Sequence, residues 1–209
     1  MLRGSQIDLC EKPDKIYASI IYKKNKHVLD YLLSTYPGAD IDIGGSGYDL
    51  HKELPPEIEC MQPDYSLYPE CDFSIGFSSR GCIRKCSFCV VPEKEGKFRR
   101  TRHPQEWYNP EYKKIVFLDN NILADKDWVM EVTDWCLDKK LKMRFLQGLD
   151  IRLVDEQIAK RLFEIRNHHT LSFAWDNLAD EKIIREKIEL LMKAGFTKNQ
   201  LRQAVLKPF

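Results

Sequence analysis

The feature that most constrains this fold is an alternation of short apolar runs and amphipathic segments that begins at residue 72. Five apolar runs predict strands, and the segments that begin at Asp125, Asp155 and Asp180 predict helices. The predicted strands cover residues 73–77, 114–119, 141–146, 170–175 and 201–206. Strands that alternate with helices are parallel and joined by crossovers. We therefore expect an α/β fold, either a barrel or an open sheet.

The first 71 residues predict a separate, small α/β unit. Apolar runs at 16–22 and 39–43 predict two strands, and a helical segment with apolar residues on one face lies between them. Residues 51–71 are rich in proline and predict an irregular linker. We expect two domains, covering residues 1–71 and 72–209.

Composition excludes several broad classes. The 33 Lys and Arg residues nearly balance 32 Asp and Glu residues, so a strongly basic nucleic-acid binder is not the default expectation. The mean hydropathy is −0.46, and no apolar run approaches the length of about 18 residues that a membrane span needs. The first residues contain no apolar signal core, so we expect a cytoplasmic protein without membrane contact. Cysteines in a reducing compartment favour metal binding or catalysis over disulfides.

Three of the seven cysteines, Cys82, Cys86 and Cys89, form a cluster with the spacing C-x3-C-x2-C. A short loop can point such thiolates at one soft metal centre, and three ligands leave one position of a four-ligand site open. Arg84 and Lys85 lie within the loop and are expected to offset thiolate charge. Two alternatives remain. One is a structural zinc site completed by His103 or Cys71, and the other is a set of unligated buried thiols.

The stretch from 76 to 96, GFSSRGCIRKCSFCVVPEKEG, resembles the radical S-adenosylmethionine (radical SAM) superfamily. The superfamily's signature is C-x3-C-x-Φ-C, and Phe88 occupies the aromatic position. The stretch looks like members with an N-terminal cobalamin-binding-type domain, and it is similar to the tRNA methylthiotransferases.

The resemblance implies that Cys82, Cys86 and Cys89 hold a [4Fe–4S] cluster and that S-adenosylmethionine chelates its fourth iron. Reductive cleavage of the cofactor would then yield a 5′-deoxyadenosyl radical that abstracts hydrogen from an unknown substrate. A reductase or a flavodoxin-type protein would supply the electron. No catalytic residue is assigned beyond the cluster.

Polar residues follow several predicted strands, and the resemblance implies that they contact the cofactor. We expect seven residues to bind S-adenosylmethionine: Phe88, Asp119, Asn120, Asn121, Asp150, Arg152 and Asp176. Each polar group also has a structural alternative. Asp119 to Asn121 can form an Asx turn, Asp150 can pair with Arg152, and Asp176 can cap a turn.

Two further segments have both a binding and a plain interpretation. The basic segment 94–102 can contact RNA phosphates, but the balanced charge favours a solvated loop. The glycine turn 44–47 can cradle a phosphate, but a plain turn is favoured. The Asp-x-His-x-x-Gly loop of cobalamin domains is absent, so cobalamin is not expected.

The length sharpens these expectations. The resembling family's barrel has six β–α units, and this chain supplies four and the start of a fifth. We therefore expect a partial parallel (β/α) barrel of the radical SAM type after the small α/β unit. The chain would be truncated at its C-terminus, or a partner would cover the last strand. A cluster-binding relative without turnover and a zinc-stabilised RNA-binding module are the alternative functions.

Overall fold

A computed structural model of the chain describes residues 13–165 and 171–206. The structure divides into two compact units, and the boundary lies between Met61 and Gln62. The proline-rich stretch therefore contributes to both units. Its predicted irregular course is interrupted by a one-turn helix in the first unit and by a 3-10 turn, Tyr65–Leu67, in the second.

The first unit is a strand–helix–strand fragment, as the sequence predicts. It consists of β1 (Lys15–Ser19), α1 (His27–Thr35), β2 (Asp40–Gly44) and the one-turn helix α2 (Pro56–Glu59). β1 and β2 pair in parallel, with Ile16 opposite Ile41. Crossover by α1 permits this parallel pairing, because parallel strands cannot be joined by a tight turn.

The second unit continues the alternation of strands and helices. Its N-terminal half contains β3 (Ser74–Gly76), β4 (Ser79–Arg80), α3 (Val91–Lys94), β5 (Arg99–Arg100), β6 (Lys114–Phe117) and α4 (Lys126–Asp138). Its C-terminal half contains β7 (Lys142–Phe145), β8 (Leu149–Asp150), α5 (Glu156–Glu164), β9 (Phe173–Ala174), α6 (Glu181–Lys193), α7 (Lys198–Ala204) and β10 (Val205–Leu206).

Six strands of the second unit form two small parallel sheets. One sheet has the order β3-β6-β7, and the other has the order β10-β9-β8. The expected α/β fold with parallel strands is confirmed. Over residues 13–165 and 171–206 the strands form small separate sheets, and none of these sheets closes into a barrel.

Three local features differ from the sequence prediction. Residues 201–204 belong to helix α7, so the strand predicted over 201–206 is wrong except at Val205–Leu206. Leu, Arg, Gln and Ala are all good helix formers, which explains this outcome. β8 and the antiparallel ribbon of β4 with β5 were not predicted. Pairs of two residues are too short to show an alternating pattern.

The second unit has one hydrophobic core beneath its helices. Aspartates cap α4 and α5: the side chain of Asp125 accepts from Trp128 N, and that of Asp155 accepts from Ile158 N. These helices, with α6, bury one apolar face each. The most buried residues include Ile115, Phe117, Val132, Met143, Leu162, Phe173, Ile184 and Leu191. No helix within the described ranges is both long enough and apolar enough to cross a bilayer.

Candidate functional site

The three clustered cysteines lie on the segment 81–90, which joins β4 to α3 and is called the cysteine loop here. The β4–β5 ribbon closes its base, and Cys82 N donates to Gly96 O at 3.2 Å. Gly81 begins the loop at φ 78°, and a Cβ atom there would lie 2.2 Å from Lys97 O. Only glycine fits this entry into the loop.

All three thiols of the cysteine loop are partly accessible and unbridged. The sulfur of Cys82 accepts from the backbone N–H of Arg84 at 3.3 Å and from Asn121 Nδ2 at 3.5 Å. Burial raises the pKa of the Cys86 thiol, nearby Asp176, Cys89 and Cys82 raise it further, and Arg152 opposes them. Cys82 and Cys89 are therefore close enough to Cys86 to influence its thiol, and a metal ion that binds Cys86 must displace the thiol proton.

Neither candidate fourth zinc ligand is directed at these thiols. His103 Nδ1 accepts from Gln105 N, and its ring packs edge-on against Trp128 and Trp135 at 5.8 and 5.5 Å. The Cys71 thiol donates to Phe73 O at 3.3 Å. Over the described ranges, no three His, Cys, Asp or Glu side chains already converge as a metal site.

Asp119 lies just beyond β6 and anchors the approach to the cysteine loop. Its carboxylate is 5% exposed and accepts four hydrogen bonds, from the backbone and hydroxyl groups of Ser78 and Ser79, at 2.6–3.1 Å. Ser78 Oγ also accepts from Trp128 Nε1 at 3.2 Å. Burial raises the pKa of Asp119, and the four donors oppose that rise. This carboxylate is fully engaged by the protein itself.

The two asparagines after Asp119 contact the cysteine loop directly. Asn120 Oδ1 accepts from Gly81 N at 2.9 Å, and Asn121 Nδ2 donates to the sulfur of Cys82. Asn121 Oδ1 is buried and has no hydrogen-bond partner among the described residues. A buried carbonyl oxygen without a donor is costly, so this atom is suited to accept from a ligand held beside Cys82.

Asp150, at the end of β8, anchors the same loop from the other sheet. One oxygen accepts from Arg84 Nε at 2.8 Å, and the other accepts from Arg152 Nε at 2.7 Å. Burial alone would raise the pKa of Asp150, but the two guanidinium groups outweigh burial and hold it below its ordinary value. The predicted structural alternative, a pair between Asp150 and Arg152, is therefore present.

The remaining two expected cofactor residues, Phe88 and Asp176, are exposed to solvent. Phe88 is 71% exposed, so its ring is available to a ligand or partner but contributes nothing to the core. Asp176, just after β9, is exposed and is close enough to Cys86 to influence its thiol. Whether these two residues contact a cofactor stays a prediction.

The basic segment 94–102 and the glycine turn 44–47 form ion pairs and hydrogen bonds with other parts of the protein. In the basic segment, Arg99 pairs with Glu95, Arg100 with Asp125, and Arg102 with Glu106, at 2.7–3.8 Å. In the glycine turn, Gly47 N donates to Ile20 O and Gly44 O accepts from Ile20 N. Both arrangements favour the solvated loop and the plain turn.

The residues that hold the cysteine loop in place by hydrogen bonds were not predicted from the sequence. Arg84 was expected to act only by charge, and its partner Asp150 lies 66 positions away. Ser78 and Ser79 were not singled out, although both are fully buried and buried hydroxyl groups require hydrogen-bond partners. Their place directly before the cysteine motif was the available signal.

Comparison with known proteins adds no assignment. No protein-family model matches the chain, and no curated protein matches it at a significant level.

Proposed function

We propose that this chain is an iron–sulfur protein of the radical SAM type, in which Cys82, Cys86 and Cys89 hold a [4Fe–4S] cluster. The observation that carries the proposal is that hydrogen bonds hold the cysteine loop to polar side chains at the ends of β6 and β8. Cys82, Cys86 and Cys89 are all partly exposed in this loop. Chemistry in parallel α/β folds gathers at these strand ends.

The donor set fits the proposed cluster. Three thiolates leave one iron open, and the N–H donors of Arg84 and Asn121 at Cys82 are the kind that tune cluster sulfurs. When bound, the cluster and S-adenosylmethionine supply the electron transfer and the 5′-deoxyadenosyl radical that abstracts hydrogen from a substrate.

The chain's own residues would bind and orient. Asn121 Oδ1 would accept from the ammonium group of S-adenosylmethionine, because it is the buried acceptor without a partner beside Cys82. Asp176 would face the same ligand from the end of β9. Asp119 and Asn120 would hold the loop, since their oxygens are already occupied by loop donors.

The proposal includes the fold type and the active enzyme. The β3-β6-β7 and β8-β9-β10 sheets would be successive parts of one partial (β/α) barrel, with the cysteine loop above its strand ends. We further propose that an external reductase or flavodoxin-type donor reduces the cluster in the cytoplasm. The substrate is unassigned.

The experiment is anaerobic reconstitution of the full chain with iron and sulfide. The proposal predicts a brown protein with about four irons and four sulfides per chain. A colourless protein that retains one zinc ion would contradict the proposal and favour the zinc-stabilised module. Cluster formation without cleavage of S-adenosylmethionine would favour the relative without turnover.

A further inference from the structure

The cysteine loop carries two adjacent basic residues whose surroundings differ completely. Arg84 is half-buried and its Nε donates to Asp150 Oδ2 at 2.8 Å. Lys85 is exposed, and no hydrogen bond or ion pair ties it to the part of the chain that the structure describes. Arg84 and Lys85 carry the same charge, but only Arg84 is bonded to another element. Comparing the two therefore distinguishes the effect of the positive charge from the effect of the hydrogen bond to Asp150.

Arg84 is attached at both ends. Its backbone N–H donates to the sulfur of Cys82, while its guanidinium group reaches Asp150 on β8. The loop segment between Cys82 and Cys86 is thus fixed to a strand of the other sheet. A charge-assisted hydrogen bond to a buried carboxylate is stronger and more directional than a neutral one.

The anchor point is itself held in place. Asp150 is 5% exposed and its second oxygen accepts from Arg152 Nε at 2.7 Å. Arg152 Nη1 continues to Asp180 Oδ2 at 2.7 Å, at the start of α6. Ile151, the next residue after the anchor, is fully buried. The carboxylate that receives Arg84 therefore has little freedom to move.

We propose that Arg84 is a positioning residue, and that the network Arg84–Asp150–Arg152–Asp180 holds the cysteine loop in the shape that receives the cluster. The part of this inference that concerns the cluster rests on the proposed function. It assigns Arg84 a role through geometry rather than through offsetting thiolate charge. Lys85 has no such role.

The test compares Arg84→Gln with the matched control Lys85→Gln in the full chain. Hydrogen exchange of the cluster-free protein reports on the loop through the bonded amides of Gly81, Cys82, Arg84 and Cys89. We expect Arg84→Gln to accelerate exchange in residues 81–90 about tenfold, because a charged hydrogen bond is lost. Lys85→Gln should stay within about twofold of the unmodified chain, as surface charges contribute little.

Two further measurements separate positioning from a general loss of fold. Exchange in α4 should be unchanged in both variants, and Arg84→Lys, which can still pair with Asp150, should restore part of the protection. After reconstitution, a chelator should remove iron faster from Arg84→Gln than from Lys85→Gln. The conservative variant also keeps the test decisive if Arg84→Gln fails to fold.

The outcomes are distinct. Equal acceleration in both variants, or none in Arg84→Gln, would overturn the positioning role even if the unmodified chain binds a cluster. If the unmodified chain takes up no iron and sulfide, the proposed function fails and the cluster-receiving role fails with it. The exchange pattern then identifies which of the two ideas is at fault, because it is measured without metal.

Discussion

At the residue scale, the cysteines of this chain fall into chemically different groups. Cys136 is fully buried in the core, and burial strongly raises the pKa of its thiol. Cys82, Cys86 and Cys89 are partly accessible and lie among polar groups, while Cys60 is exposed in the first unit. A thiolate is the metal ligand, so only accessible thiols in polar surroundings are suited to ligation.

Substitution of single cysteines should separate these groups. We expect Cys86→Ala to lose the cluster, because two thiolates cannot replace the three that the motif supplies. Cys60→Ser, an exposed position in the other unit, should retain the iron and sulfide content of the unmodified chain. The measurement is iron and sulfide per chain after anaerobic reconstitution. Equal metal content in the two variants would show that the ligand assignment is wrong.

Two glycines at positive φ provide a matched pair in the same segment. Gly81 has φ 78° and Gly96 has φ 73°, but only at Gly81 would an added Cβ overlap the backbone, 2.2 Å from Lys97 O. Gly96→Ala should cost about 1–2 kcal/mol from backbone strain alone. Gly81→Ala should cost more and should also open the base of the cysteine loop.

Urea unfolding of the two glycine variants, with the iron content after reconstitution, checks this prediction. The expected order of stability is the unmodified chain, then Gly96→Ala, then Gly81→Ala. If Gly81→Ala is as stable and binds as much iron as Gly96→Ala, then the backbone at the start of the cysteine loop does not require glycine.

At the element scale, the long periodic segments were predictable and the short ones were not. The helices α4, α5 and α6 begin directly after Asp125, Asp155 and Asp180, as predicted, and capping by the aspartate side chain accounts for the start of α4 and α5. At Asp180 the side chain pairs with Arg152 and makes no cap hydrogen bond. Two-residue strands such as β8 depend on tertiary pairing, which a local pattern does not encode.

The three cysteines of the candidate site are visible in the sequence, but the residues that hold their loop in place are not. The cysteine spacing is local, so the sequence shows it directly. The support of the loop depends on contacts across long separations, 66 positions for Arg84 to Asp150 and 39 for Gly81 to Asn120. Such pairs are determined by how the strands are placed side by side, which follows only from the folded chain.

The cap of α4 provides a pH-dependent prediction. Asp125 accepts from Trp128 N and pairs with Arg100, and this pairing holds the pKa of Asp125 below its ordinary value. A depressed pKa in the folded state means that the stabilisation is present at neutral pH and is lost as the pH falls through the folded-state pKa.

We therefore expect Asp125→Ala to lower the free energy of unfolding by about 1 kcal/mol at pH 7, the usual contribution of a cap. The loss should shrink at acidic pH, as the unmodified carboxyl becomes protonated. Asp127→Ala, an exposed acid in the same first turn, is the control and should change stability less. Urea unfolding at both pH values measures the difference. A loss that does not depend on pH would contradict an ionised cap.

At the scale of the whole molecule, the cysteine loop makes contacts at the ends of strands from both parallel sheets of the second unit. Asn120 and Asn121 hold it after β6, and Arg84 holds it to Asp150 on β8. A ligand that binds only the folded loop should therefore stabilise the whole unit rather than the loop alone.

Calorimetry with and without the cluster tests this connection. We expect reconstitution to raise the Tm of the second unit by at least about 5 °C, since tight binding to the native state adds several kcal/mol. Arg84→Gln should show a smaller rise. An unchanged Tm at full iron content would mean that cluster binding and folding of the unit are not linked.

We propose that this chain holds a cluster that cleaves S-adenosylmethionine. The most direct measurement is the amount of 5′-deoxyadenosine that the reconstituted, reduced protein forms from S-adenosylmethionine under anoxic conditions. We expect the unmodified chain and Cys60→Ser to form 5′-deoxyadenosine and methionine, and we expect Cys86→Ala to form neither. The absence of 5′-deoxyadenosine from an unmodified chain that carries about four irons would contradict the claim.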